Sequence, residues 1–201
     1  MKKLVLPLFA LFLFSCGGED SAEANTTEES GSETVENQEE ETEESEEKSK
    51  RKSPRTLSTG EIDGITVEVD YGSPYVKERT IWGELVPYDE VWRAGADEAT
   101  AVTFGADVMF GDSEVAAGTY ALFVKPKEQE DWQIILNEEW SKEEHDVWGA
   151  YDYDPTKDVA RINVTPEVGE NLEESLQYGI TEAGIHFSWE YMSFTIPVSA
   201  K

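Results

Sequence analysis

A single cysteine, Cys16, occurs in the 201 residues. Its solitude excludes a disulfide within one chain and any thiolate cluster for a metal or redox pair. Histidine is nearly as scarce, with only His145 and His186, and little is therefore on offer for proton transfer near neutral pH. Bases are few as well: Lys and Arg number 16 against 44 acids, for a formal net charge of -28. A surface this acidic repels phosphate backbones and anionic lipid, which argues against nucleic-acid partners. The apolar run from Leu4 to Phe14 is too short to span a bilayer permanently. Internal repeats and helical amphipathic stripes are missing. So are the GxSxG elbow, HExxH, the Walker loop, GxGxxG after a strand, and CxxC. No cofactor and no metal are expected on these grounds.

What is present divides the chain in three. Lys2 and Lys3 precede the apolar run, giving the basic and apolar regions of a secretory signal. The run ends in Leu13-Phe14-Ser15-Cys16, which resembles the lipobox of bacterial lipoproteins. The resemblance implies cleavage before Cys16 and acylation of its thiol, with several acyl chains together making a firm anchor. Gly17 in place of Asp resembles the sorting pattern for the outer membrane, at its periplasmic or cell-surface face. Residues 16–52 form a predicted disordered linker. Residues 17–47 hold 14 acids and no base, and Lys48, Lys50, Arg51, Lys52 and Arg55 form a basic end. Such a stretch cannot bury enough apolar surface to offset chain entropy, and its like charges keep it extended.

Residues 53–201 carry strand signals almost throughout. Ile65, Val67, Val69 and Tyr71 share one face within Glu61–Tyr71. Further strands are predicted at Ala99–Phe104, Asp107–Phe110, Gly118–Val124, Trp132–Asn137, Val159–Thr165, Ser175–Thr181, Gly184–Tyr191 and Ser193–Val198. In the Val159–Thr165 strand, Ala160, Ile162 and Val164 take one side. A helical turn or two is expected only between Asn137 and Trp148. About nine strands separated by turn residues predict an all-β domain, an antiparallel β-sandwich or jelly-roll-like barrel.

One stretch stands apart. Arg79–Thr100 (RTIWGELVPYDEVWRAGADEAT) is apolar, charged and aperiodic at once, the mark of a structured loop. Its candidate binding residues are Arg79, Trp82, Tyr88, Trp92, Arg93, Asp97 and Glu98. Two readings compete. In one, the arginines pair with Asp97 or Glu98 and hold the loop against the sheet. In the other, the same groups line a concave site in which the aromatics stack on a sugar or other small molecule. His145, in Glu143-Glu144-His145-Asp146 beside Trp148, joins the candidates as a base or ligand. His186 is expected to point outward from its strand. Asp152, Asp154 and Asp158 suggest oxygens for calcium but lack the glycine of a calcium loop, so an ordinary Asp-Pro turn is the favoured reading.

Several of these segments together resemble the bacterial domain family DUF2911. They are Tyr71-Gly-Ser-Pro74, Arg79-Thr-Ile-Trp-Gly83, Leu85-Val-Pro-Tyr88, Val91–Thr100, Ala117–Phe123, Trp132–Asn137 and Trp148-Gly149. The resemblance covers about Ser53 to Val198. The chain departs from the family at Gly72-Ser73, where Ser-Arg is common, and at Asp97, where Asn is common. Membership implies one folded unit and export, and no established activity. Two functions follow as expectations. The first is a membrane-anchored binding or interaction module for a carbohydrate, small molecule or partner protein. The alternative is a hydrolase built from Arg93 with Glu98, Asp97 or His145.

Overall fold

The structure, a computed structural model, describes residues 52–201. The predicted signal peptide, the expected lipidation site Cys16 and the acidic linker as far as Arg51 lie outside the described residues. The described part belongs to one unit of the chain, Thr42–Lys201.

Ten strands form two antiparallel sheets. The strands are β1 (Arg55–Ile62), β2 (Ile65–Gly72), β3 (Thr100–Phe104), β4 (Val108–Phe110), β5 (Ser113–Val115), β6 (Gly118–Lys125), β7 (Trp132–Asn137), β8 (Asp158–Val164), β9 (Glu167–Thr181) and β10 (Gly184–Ala200). The larger sheet runs β1-β2-β3-β6-β7-β8 and the smaller β5-β4-β10-β9. One short helix, α1 (Lys142–His145), and one 3-10 turn, Pro155–Lys157, lie between β7 and β8. The all-β sandwich read from alternation is the fold observed.

Three strand predictions change. Glu61–Tyr71 is the turn and second arm of a hairpin whose first arm starts at Arg55. Asp63 and Gly64 both have positive φ, 52° and 79°, with Ile62 opposite Ile65. That is the two-residue turn whose twist suits a hairpin. The second change lies in β9, which starts eight residues before the predicted Ser175. Its first six residues, Glu167–Leu172, are all exposed, so they carry no alternation to read. Third, β10 is one strand through Tyr191 and Met192, where register shifts at Glu190 divide the pattern.

The facing sides of the sheets enclose the core. Val67, Val69, Phe104, Leu122, Ile134 and Leu136 come from the larger sheet, and Phe110, Leu176, Ile185, Phe187, Trp189 and Ile196 from the smaller. The edges also approach each other. Ser58 Oγ donates to the Tyr178 carbonyl at 2.7 Å, and Ile180 lies over Gly60, joining β1 to β9. Gly111, between β4 and β5, lies against Ile162 of β8. The sandwich is thus a flattened barrel, which covers edge strands that would otherwise invite pairing.

The larger sheet has a second apolar patch on its outer face. Ala99, Ala121, Phe123 and Ile135 form it, and Val91, Trp140, Ala150 and Tyr153 pack over it. The segment between β7 and β8 therefore lies across this face, with α1 as part of its path. Asp146 caps α1 in the left-handed conformation, and Ser141 Oγ accepts from Glu144 N at the other end. Among the described residues, no helix is long and apolar enough to cross a membrane.

Candidate functional site

The loop from Val91 to Thr100 is fastened group by group. Trp92 N and O both bond Val124 at 2.8 Å, so the chain continues the sheet beside β6 after β3 has ended. The indole Nε1 of Trp92 donates to the Gly95 carbonyl at 3.1 Å. Ala94 turns left-handed with φ of 55°, and its carbonyl accepts from the hydroxyls of Thr100 (3.1 Å) and Tyr178 (2.9 Å). Burial, and then the neighbouring Tyr71, hold the Tyr178 phenol well above its usual pKa, so it stays a donor. Ala96 N donates to the Gly72 carbonyl at 3.1 Å. A Cβ on Gly72 would sit 2.1 Å from the Ala96 carbonyl oxygen, and one on Gly95 2.6 Å from Thr100 Oγ1. Gly72 must be glycine because two backbones touch there, whereas at Gly95 the obstacle is the bonded Thr100 hydroxyl.

Most of the candidate residues thus serve this clasp or lie beside it. Arg93 donates through Nη1 to the Asp97 backbone carbonyl at 2.7 Å, and its guanidinium carbon lies 5.5 Å from the Tyr151 ring centre. Asp97 is exposed, with φ of 63°. Glu98 Oε2 lies 3.8 Å from Nη1 of Arg55. Arg55 is the arginine that sequence reasoning missed. It appeared to close the basic end of the linker, yet its side chain is only 15% exposed. Its Nε meets Asp70 Oδ1 at 2.7 Å, and its Nη2 donates to the carbonyls of Asp70 and Ala99 at 3.2 Å each. The expected pairing of Arg79 or Arg93 with acid side chains is therefore replaced. Arg93 and Arg79 hold backbone carbonyls, Arg79 those of Tyr75 and Val76, while Arg55 takes the carboxylates.

Trp82 and Trp92 face inward. With Trp132, Phe187 and Trp189 they make one aromatic nest, with Trp82–Trp132 centroids 4.5 Å apart and Trp92 stacked on Trp189 at 5.7 Å. Such ring pairs add about 0.5–1.5 kcal/mol each beyond their buried area. Tyr88 covers Gly83 at the rim, its phenol pKa raised first by burial and then by Glu128 and Glu190.

His145 and Trp148 are on the outer face of the larger sheet, whereas His186 is on β10 of the smaller one. His145 Nδ1 accepts from the amides of Trp140 (3.3 Å) and Ser141 (3.4 Å), so its ring ties the start of α1 to its end. His186 Nδ1 lies 3.2 Å from Thr195 Oγ1 of the same strand. Trp148 is 40% exposed and Tyr151 81%. Their turn is fixed: Asp152 Oδ2 accepts from Trp148 N at 2.9 Å, and Gly149 (φ 58°) lies against Arg93. Lys142 Nζ stands 5.3 Å from the Trp148 ring centre. The neighbouring acids also have structural work. Asp154 Oδ1 accepts from Thr156 N and Oγ1, and these bonds, the backbone one foremost, lower its pKa. Asp158 accepts from Asn137, Tyr153 and Arg161. Burial first, then the bond to Asp158, raises the Tyr153 phenol far above its usual range. Three aspartates that suggest calcium in sequence thus satisfy three different local groups.

The outer face of the larger sheet also holds a concavity of about 640 Å³, lined by Lys125, Lys127, Glu130, Asp131, Gln133 and Asn163. No sequence pattern marks it, since its residues come from three strands and one hairpin loop.

Fold and surface define a two-sheet antiparallel β-domain with a clasped loop and, on the outer face of its larger sheet, a polar concavity. Residues 53–198 match the family described as "Protein of unknown function (DUF2911)", and the chain belongs to it. No curated protein and no solved structure matches the chain.

Proposed function

We propose that the protein is an exported lipoprotein, acylated at Cys16 and held at the outer membrane, whose sandwich is a carbohydrate-binding module. The ligand lies on the outer face of the larger sheet. The observation that carries this reading is the Trp148–Tyr151 turn. Two large aromatics, Trp148 40% and Tyr151 81% exposed, project from a backbone fixed by Asp152, Gly149 and Arg93, and the same sheet carries a polar concavity. Exposed aromatics on a rigid support, with polar groups to fix orientation, are what a small-molecule site requires. A hydrolase at Arg93 and Glu98 finds no comparable support. Arg93 is engaged by a backbone carbonyl and a ring, Glu98 lies beside Arg55, and His145 accepts two backbone amides.

The test is a glycan array probed with the full-length chain in detergent and with Trp148→Ala/Tyr151→Ala. The wild type is expected to retain at least one glycan class. The double variant is expected to lose it while remaining cooperatively folded, with only a small change in thermal midpoint, because neither side chain belongs to the core. Retention of the glycan by the double variant would refute this location for the site.

A further inference from the structure

Residues 56–201 contain nine bases among 30 acids. Eight of the nine are engaged. Lys127, Lys157, Arg161 and Lys201 meet carboxylates. Arg79 and Arg93 meet carbonyls, and Lys77 and Lys142 lie over rings. Lys125 alone among these nine has no ion pair, hydrogen bond or ring contact with the described residues. In so acidic a domain, a cation whose side chain has no partner of any kind stands out.

Its neighbours share the property. Lys125 is the register partner of Gln133, and Gln133 that of Asn163. The three have the parity of Phe123 and Ile135, away from the core, and all three line the concavity. Neither amide side chain bonds to another described residue. Adjacent strands lie about 4.8 Å apart, so the row spans roughly 10 Å across three strands, the reach of two linked sugar rings. It offers one ammonium donor, then two amides that both donate and accept. Lys127 is paired with Glu130 at 2.5 Å, and Asp131 accepts the Thr165 hydroxyl at 2.7 Å and keeps its negative charge, so Lys125 is the one cation of this lining without a carboxylate partner.

We infer that the row Lys125–Gln133–Asn163 is the specificity subsite for a uronate-bearing oligosaccharide: Lys125 takes the sugar carboxylate, and Gln133 and Asn163 the flanking hydroxyls. This rests on the carbohydrate reading of the same face and deepens it. The acidic surface elsewhere opposes any anion, but exposed charges farther than about 8 Å are screened at physiological ionic strength, whereas Lys125 would act at contact.

The experiment is calorimetric titration of the full-length chain in detergent at that ionic strength. The probes are galacturonate, glucuronate and mannuronate trimers and their carboxyl-reduced counterparts. At least one uronate is expected to bind about tenfold or more tighter than its reduced form, the range of one charge-assisted hydrogen bond. Lys125→Met should abolish that preference, weakening the uronate far more than the reduced sugar, and Lys125→Arg should restore it. Gln133→Ala and Asn163→Ala should weaken both forms. Equal affinity for both forms, or a preference that survives in Lys125→Met, overturns the inference. If glycans bind through Trp148 and Tyr151 without uronate preference, the inference falls while the carbohydrate reading stands. If no glycan of any kind is retained, both fall.

Discussion

Replacing Gly72 by Ala tests the clasp at its tightest point. The added Cβ would lie 2.1 Å from the Ala96 carbonyl oxygen and 3.2 Å from the Ala96 nitrogen. These are backbone atoms, so no side-chain rotation relieves the clash. Ordinary contact needs about 3.5 Å, so the loop must retreat by roughly 1.4 Å. The Ala96 N–Gly72 O bond, 3.1 Å long, would then stretch past usefulness, at about 1 kcal/mol. Overpacking adds about 1–3 kcal/mol. The loss of unfolded-state freedom at a former glycine offsets about 0.4–1 kcal/mol. The net expectation is a destabilisation of about 1–3.5 kcal/mol, and at roughly 2–4 °C per kcal/mol for a domain of this size the thermal midpoint falls by about 2–14 °C. All six tryptophans lie in the described part, so urea unfolding followed by tryptophan fluorescence reads the change. Gly179→Ala is the control, since nothing lies within 4 Å of the added Cβ, and it should leave the midpoint nearly unchanged. A Gly72→Ala midpoint equal to wild type would refute the argument that close backbone approach fixes this loop.

Arg55→Met should cost about 2 kcal/mol in the same titration, because hydrogen bonds to a carboxylate and two carbonyls are lost together. Arg55→Lys should recover only part, since an ammonium lacks the planar fork that reaches Asp70 and Ala99 at once. Asp154, with its folded pKa lowered, stabilises the Pro155–Lys157 turn above the ordinary aspartate value of about 3.9 and loses that contribution as pH falls through the folded value. The stability gap between wild type and Asp154→Ala is therefore expected to be constant near neutrality and to shrink below about pH 4. Cys16→Ser should move the expressed protein from the membrane pellet to the soluble fraction and abolish incorporation of a fatty-acid label.

Alternation made most of the fold legible. Val67, Val69 and Tyr71, or Ala160 and Val164, are buried on the side their spacing predicts. Strands escaped notice where burial did not impose a pattern, as in the exposed half of β9, or where β10 crosses bulges around Glu190. Asp63-Gly64 carried a hairpin signal in plain sequence, but the run of apolar residues after it drew attention from the arm before it. The Arg79–Thr100 stretch was legible as a structured loop. Its role was not, because nothing in one dimension shows that Gly95 and Ala96 will lie against Gly72, or that Trp82 and Trp92 will meet Trp132 and Trp189. Arg55, just past the linker's basic end, has four bases shortly before it and no alternation around it that marks it as half-buried. The row Lys125–Gln133–Asn163 exists only through strand register, and a lysine's lack of a partner is a property of the folded surface.

The account separates a loop that holds the domain together from a face that holds a ligand. The most direct measurement is a backbone amide NMR titration of residues 53–201 with the glycan retained on the array. Shifts are expected at Lys125, Gln133, Asn163 and the Trp148–Tyr151 turn, with the indole signals of Trp82 and Trp92 unmoved. Shifts centred instead on Trp82, Tyr88 and Trp92 would contradict it.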